Sequence, residues 1–254
     1  MFLFLIIKYL LLYRDMLKQR EYFVETLSHD LRVSSIAQIR GLDLLKKNAL
    51  QNDNNLELIS EIDKSCKFTL EMMTMLLQTY RFEAGEQVLD CKLMFMEDLV
   101  KNNTRRLSEE ARFKDLKLIY KTFGKSSVYI DENEINKLIY LLLSTVISNA
   151  KKSSNVEVTV NSNFKECKVD FIYNGLPLTE EEYRRMFACK PSFSTVGNGI
   201  KMHLCKKIID FQKGKIFVKK YNKDRNQFTF ILPKSKPFLG LKSILLTSLE
   251  PYKL

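Results

Sequence analysis

The sequence predicts an α+β chain: an N-terminal antiparallel helical hairpin that forms a dimeric four-helix bundle, followed by an α/β sandwich. Two observations carry this. Between residues 14 and 80 the apolar residues recur every three or four positions, in two long stretches separated by a polar, Asn-rich tract. Beyond residue 90 the pattern changes to short β-branched and aromatic runs that alternate with amphipathic helices.

Residues 14–47 contain no proline and one glycine, Gly41, and read as a single helix. Leu10, Tyr13, Leu17, Val24, Leu27 and Leu31 form its seam. Asn48–Asn55 is the helix–helix connection. A second seam runs Ile59, Ile62, Cys66, Thr69, Met73, Leu76 and Tyr80. One hairpin leaves its seam exposed, and two hairpins bury both, so a homodimer is expected. Residues 14–81 are the hairpin and 82–89 a linker marked by Gly85. In 90–233 we expect helices at 96–112, 132–150, 179–187 and 199–212. Strands are expected at 116–123, 127–130, 156–161, 166–173, 214–221 and 227–232. The tail 234–254 has the spacing of a short amphipathic helix.

Composition narrows the function. The five cysteines, at 66, 91, 167, 189 and 205, form no Cys-x-x-Cys pair, which points to free thiols in a reducing compartment. Two histidines, His29 and His203, argue against a His-rich metal site. A net charge of +11 suits an acidic protein or anionic lipid, or is simply a Lys-rich solvated surface. No basic run with interleaved aromatics reads as a nucleic-acid platform, so no direct nucleic-acid partner is expected.

Residues 1–13, MFLFLIIKYLLLY, are almost wholly apolar and are followed by Arg14, Lys18 and Arg20. The run is short for a spanning helix and lacks the marks of a signal peptide. It reads as part of a membrane helix, an interfacial anchor, or an apolar extension of the next helix. Basic residues just after it favour a location on the cytoplasmic face of the cell membrane.

The chemistry-bearing residues lie in three places. Ser28-His29-Asp30-Leu31-Arg32 sets an imidazole beside a carboxylate and a guanidinium on the first helix. A neutral imidazole nitrogen is a nucleophile near pH 7, a neighbouring carboxylate can hold the ring or take its proton, and Arg32 can steady phosphate charge. Some 120 residues later, Ser148-Asn149-Ala150-Lys151-Lys152 closes an apolar helix. Gly197-Asn198-Gly199 opens another, where glycines let backbone amides approach phosphate.

In this order the motifs resemble the core of two-component sensor histidine kinases over roughly residues 14–233. FVETLSHDLRVSSI, from Phe23, is similar to the family's F-x-x-x-x-S-H-[ED]-L-R-T-P-L-x-x-I. The resemblance implies His29 as phosphoacceptor and Asp30 as its acidic catalytic partner. Asn149 stands for the asparagine that ligates Mg²⁺, a role an amide oxygen suits, and Lys152 for a lysine that reaches phosphate. Residues 172–187 resemble the family's first glycine box, with Asn174, Gly175 and Phe187 in place. Gly197, Gly199 and the helix after them resemble its second.

The resemblance implies a fold of the GHKL type (histidine kinase, gyrase and chaperone ATPases), ATP and Mg²⁺ as cofactors, and autophosphorylation of His29. A receiver domain of a response regulator would then accept the phosphoryl group.

Five positions depart from the pattern. Val33 and Ser34 replace Thr and Pro. Tyr173 replaces the aspartate that accepts from the adenine amino group, an exchange worth on the order of 1–3 kcal/mol. Pro177 replaces a glycine of the first box, and Lys201 one of the second. These departures motivate an alternative, a dimeric signalling scaffold with weak or no ATP binding. Gly124-Lys125-Ser126 resembles the end of a P-loop, but Ile119 occupies the required first glycine. His203, with no ligand partner at useful spacing, is a packing residue.

Overall fold

The computed structural model describes residues 2–47, 54–84, 87–187, 198–222 and 224–235. The predicted connection after residue 47, the tail helix and Gly197 fall largely or wholly outside the described residues. The chain divides into two compact units, residues 1–81 with 184–204, and residues 82–183 with 205–254.

The first unit is built on two long helices, α1 (Phe2–Lys47) and α2 (Asn54–Ala84). α1 starts at Phe2, so residues 1–13 are continuous with the hairpin helix and form no separate segment. No Gly or Pro interrupts them, and nothing local stops the helix. Among the described residues no helix is long and apolar enough to cross a membrane.

Polar reciprocity sets the register between α1 and α2. The Ser34 hydroxyl donates to the Ser65 carbonyl at 2.9 Å, and the Ser65 hydroxyl returns a bond to the Ser34 carbonyl at 3.0 Å. Gln38 donates to Thr69 at 3.0 Å, and Thr69 also meets Ser34. A Cβ on Gly41 would lie 2.7 Å from Ile62, so glycine lets the helices approach there. Ser34 meeting Thr69 while Gly41 meets Ile62 fixes the antiparallel sense.

The buried line of α2 follows the predicted one only in part: Ile62 and Thr69 meet α1, and both are half-buried, as is Leu76. Met72, Met75 and Thr79 are buried, whereas Ile59, Cys66, Met73 and Tyr80 are exposed in the single chain. One helix carries two apolar stripes, and spacing alone does not say which one faces its own hairpin partner.

Two further boundaries are corrected. Residues 82–89 are not a plain linker. α2 runs on to Ala84, and Phe82 is buried edge-on against Phe211 with ring centroids 5.3 Å apart. Cys91–Phe95 forms an unpredicted strand, β1.

Beyond α2 the order is β1, α3 (Met96–Arg106), α4 (Ser108–Phe113), β2 (Lys117–Phe123), β3 (Ser127–Asp131), α5 (Glu132–Asn149), β4 (Asn155–Ser162), β5 (Glu166–Asn174) and α6 (Glu180–Arg185). Then follow α7 (Asn198–Phe211), β6 (Lys215–Asn222) and β7 (Arg225–Pro233). The single helix expected at 96–112 is therefore two.

β1 pairs antiparallel with β3. The main sheet has the order β2-β4-β5-β7-β6, parallel at β2–β4 and antiparallel elsewhere. Val156, Val158 and Val160 alternate along β4, with Phe171 on β5 and Phe228 and Phe230 on β7, and all are buried. With Leu99 of α3 and Leu138, Leu142 and Val146 of α5, they make the core of a two-layer sandwich. This mixed sheet with its helical layer is the predicted α/β sandwich.

Candidate nucleotide site and phosphoacceptor helix

α5 begins where Asp131 caps it. The Asp131 carboxylate accepts from the Glu134 amide at 3.1 Å and from the Asp90 amide at 2.9 Å, satisfying an end that would otherwise leave free donors. At the other end Lys114 donates to the carbonyls of Ile147, at 3.2 Å, and Ser148, so a cation covers the negative end of the helix. Sequence reading did not single out Lys114, because its partners are backbone atoms 33 and 34 residues away.

The end of α5 is tied to the end of β5. Ala150 forms an isolated antiparallel bridge with Gly175, and the Lys151 amide donates to the Asn174 carbonyl at 2.8 Å. A Cβ on Gly175 would lie 3.1 Å from the Asn149 carbonyl oxygen and 2.7 Å from Cε2 of Tyr173, so glycine is required by close approach. Two motifs 26 residues apart thus share one corner. Asn149 is exposed and donates through its side-chain nitrogen to the Thr145 carbonyl at 2.9 Å. Its amide oxygen is left as an acceptor. Lys152 is exposed just beyond, next to a turn in which Ser153 has φ 57°.

Tyr173 sits beneath this corner. Its ring is buried and stacks on Phe228, with centroids 6.1 Å apart and planes 17° apart. Burial pushes its phenol up to about 12, against a smaller lowering by a hydrogen bond from Asn226. Asn226 accepts from the Tyr183 hydroxyl at 2.6 Å and donates to the Leu176 carbonyl at 3.0 Å, fixing the first glycine-box loop to α6. Asn226 was not anticipated. The available signal was a polar residue on the inward face of a strand whose next inward positions are Phe228, Phe230 and Leu232. Thr179 and Glu182 close a reciprocal capping box at the start of α6, with bonds of 2.7 and 3.2 Å. Leu176 and Pro177 are exposed.

On α7, Gly199 lies in the first turn and is half-buried, as is Lys201, while Ile200 and Met202 are buried. His203 is buried, in keeping with packing rather than metal binding. On α1, His29 lies in mid-helix, Asp30 is buried, and Val33, one turn beyond His29, is exposed. The side chains of His29 and Arg32 are outside the described residues. Cys66, Cys91, Cys167 and Cys205 are free thiols.

Comparison with known proteins agrees with this geometry. Residues 130–236 match the family of histidine kinase-, DNA gyrase B-, and HSP90-like ATPases. The chain is 25% identical over 224 residues to the sensor protein KdpD of Clostridium acetobutylicum, covering 85% of this chain and 25% of that protein. It is 23% identical over 232 residues to the adaptive-response sensory kinase SasA of Gloeothece citriformis, covering 86% and 59%. The chain therefore spans between a quarter and three-fifths of the length of these relatives.

Among solved structures, the histidine kinase AdeS of Acinetobacter baumannii superposes with a TM-score of 0.69 at 14% identity, covering 82% of this chain and 98% of that one. Histidine kinase ThkA, crystallised in complex with the response regulator TrrA, also gives 0.69, at 21% identity, covering 88% and 66%. These likenesses establish the fold.

Proposed function

We propose that the chain is the kinase core of a two-component system. It transfers the γ-phosphoryl group of Mg·ATP to His29, from which an aspartate on a response-regulator receiver domain takes it. The observation that carries this is the corner where Asn149 and Gly175 meet, with Lys152 exposed in the chain just beyond, within the segment that matches the ATPase family. Asn149 would hold Mg²⁺ through its free amide oxygen, and Lys152 would reach a phosphate. The glycines at 197 and 199 would admit phosphates to the start of α7.

The chemistry on the protein's side is positioning and charge stabilisation. The imidazole of His29 attacks phosphorus while the bond to ADP breaks, and Asp30, adjacent on α1, orients the ring or takes its proton. The net positive charge suits an acidic receiver domain, and relatives named as sensor kinases support such a partner.

The exposed stripes of α1 and α2 support a homodimer in which two hairpins close as a four-helix bundle. The exposed Ile6–Tyr13 stretch supports attachment to the cytoplasmic face of a membrane. The scaffold alternative rests on Tyr173, Pro177 and Lys201. The match of residues 130–236 to the ATPase family and the sensor-kinase relatives favour the kinase.

Incubation with γ-labelled ATP and Mg²⁺ tests the proposal. Label should appear, survive base and be lost in acid, as a phosphoramidate does. It should vanish in His29→Ala and in Asn149→Ala while both variants keep their helical circular-dichroism spectrum. Acid-labile label persisting on His29→Ala would overturn the assignment.

A further inference from the structure

The sandwich has a second opening, on the side of the sheet that ends at β2. β2 is an edge strand, so the helical layer overhangs it without a further strand beneath. Between α3, α4 and β2 lies a cavity of about 400 Å³, within the range of small-molecule sites. Its floor includes Leu116 and Leu118, and three cations, Lys101, Arg105 and Arg112, stand around it.

Lys101 and Arg105 are one turn apart on α3 and share a face, and Arg112 projects from α4. None of the three forms an ion pair among the described residues. The Tyr120 hydroxyl, also at the cavity, is buried beside the Thr122 side chain.

We infer that this cavity binds a small soluble organic anion, an apolar body of a few carbons bearing a phosphate or carboxylate head. The head would sit among Lys101, Arg105 and Arg112, the body on Leu116 and Leu118, and the Tyr120 hydroxyl would meet a polar atom of the body. Guanidinium groups suit this head, because their planar donors pair two oxygens at once. A bare inorganic anion would leave the leucine floor unused, and a neutral apolar molecule would leave three cations unpaired. The inference does not depend on the phosphotransfer reading.

Isothermal titration of the full chain with hexyl phosphate, inorganic phosphate and hexanol tests it. Hexyl phosphate should bind at least tenfold tighter than either half-molecule. Arg105→Glu with Arg112→Glu should weaken it tenfold or more. Lys219→Glu with Lys220→Glu, which makes the same charge change on the exposed strand β6, should leave it unchanged. Leu118→Ala should shrink the advantage of hexyl phosphate over phosphate.

Equal binding by the charge-reversed and wild-type proteins would overturn the site. So would hexyl phosphate binding no tighter than phosphate, or no binding at millimolar concentration. Capture on phosphatidic-acid vesicles through the same arginines, without binding of soluble hexyl phosphate, would make the surface a lipid contact and overturn the soluble ligand.

Discussion

Replacing Tyr173 separates its two roles, as a core side chain and as the residue standing where the adenine would be read. The ring is buried and stacked on Phe228 at 6.1 Å. Tyr173→Asp removes that stack, worth about 0.5–1.5 kcal/mol, and opens a hole of aromatic size. Together with the lost burial this should cost about 3–5 kcal/mol. For a domain of this size the melting temperature should fall by roughly 6–20 °C without nucleotide. The new carboxylate can accept from an adenine amino group, a gain on the order of 1–3 kcal/mol in ATP binding, with GTP little changed.

Wild type should therefore bind ATP weakly, with poor selectivity over GTP. Tyr173→Asp should be less stable but more selective. Tyr173→Phe keeps the ring and loses only the hydroxyl's bond with Asn226, so its stability should fall by about 0.5–1.5 kcal/mol, with no gain in selectivity. Thermal melts and nucleotide titrations on the three proteins decide the matter. Tight, selective ATP binding by wild type would refute the reasoning on recognition. An unchanged melt for Tyr173→Asp would refute the reasoning on packing.

Three further expectations follow from particular residues. Light scattering at micromolar concentration should give twice the chain mass, because apolar stripes on α1 and α2 stay exposed in one chain; a folded monomer would contradict this. Val33, exposed one turn after His29, has no hydrogen-bonding group to orient water, so dephosphorylation of a phosphorylated cognate regulator should be slow and should accelerate in Val33→Thr. Rapid decay with wild type would contradict it. Burial raises the Cys167 thiol from 9.0 to about 11 and the Tyr173 phenol from 10.0 to about 12. Both groups stay protonated in the fold after the unfolded chain has lost their protons. Their stabilisation is thus complete below about pH 9 and is lost as pH rises through 11 and 12, on the order of 2–3 kcal/mol for each group. Denaturant midpoints measured from pH 8 to 11.5 should fall, and a flat profile would contradict the burial of these groups.

Periodicity and turn chemistry read from the chain alone located most elements. The alternation of valines in β4 and the Asp131 cap of α5 are local signals. They survive because the residues that decide them are neighbours in sequence. The motifs around Asn149 and Gly175 were legible for the same reason, as was the order in which they follow His29. β1 was not, because Cys91–Phe95 is a strand only through its pairing with β3, 36 residues on. The end of α2 was misplaced because Phe82 is held by Phe211, a contact no local pattern announces.

By itself, then, the sequence determined the two-part architecture and the identity of the candidate chemical groups, since helical period, strand alternation and motif spacing are short-range properties of the chain. Only the tertiary structure decided three matters. Of the two apolar stripes on α2, it set which one packs inward. It buried Tyr173 against Phe228 and tied it to Asn226. It left Lys101, Arg105 and Arg112 unpaired around a cavity. Each of these depends on which distant segment comes to lie against a residue, and the energies of burial and charge pairing are fixed by that neighbour, not by the residue's place in the chain.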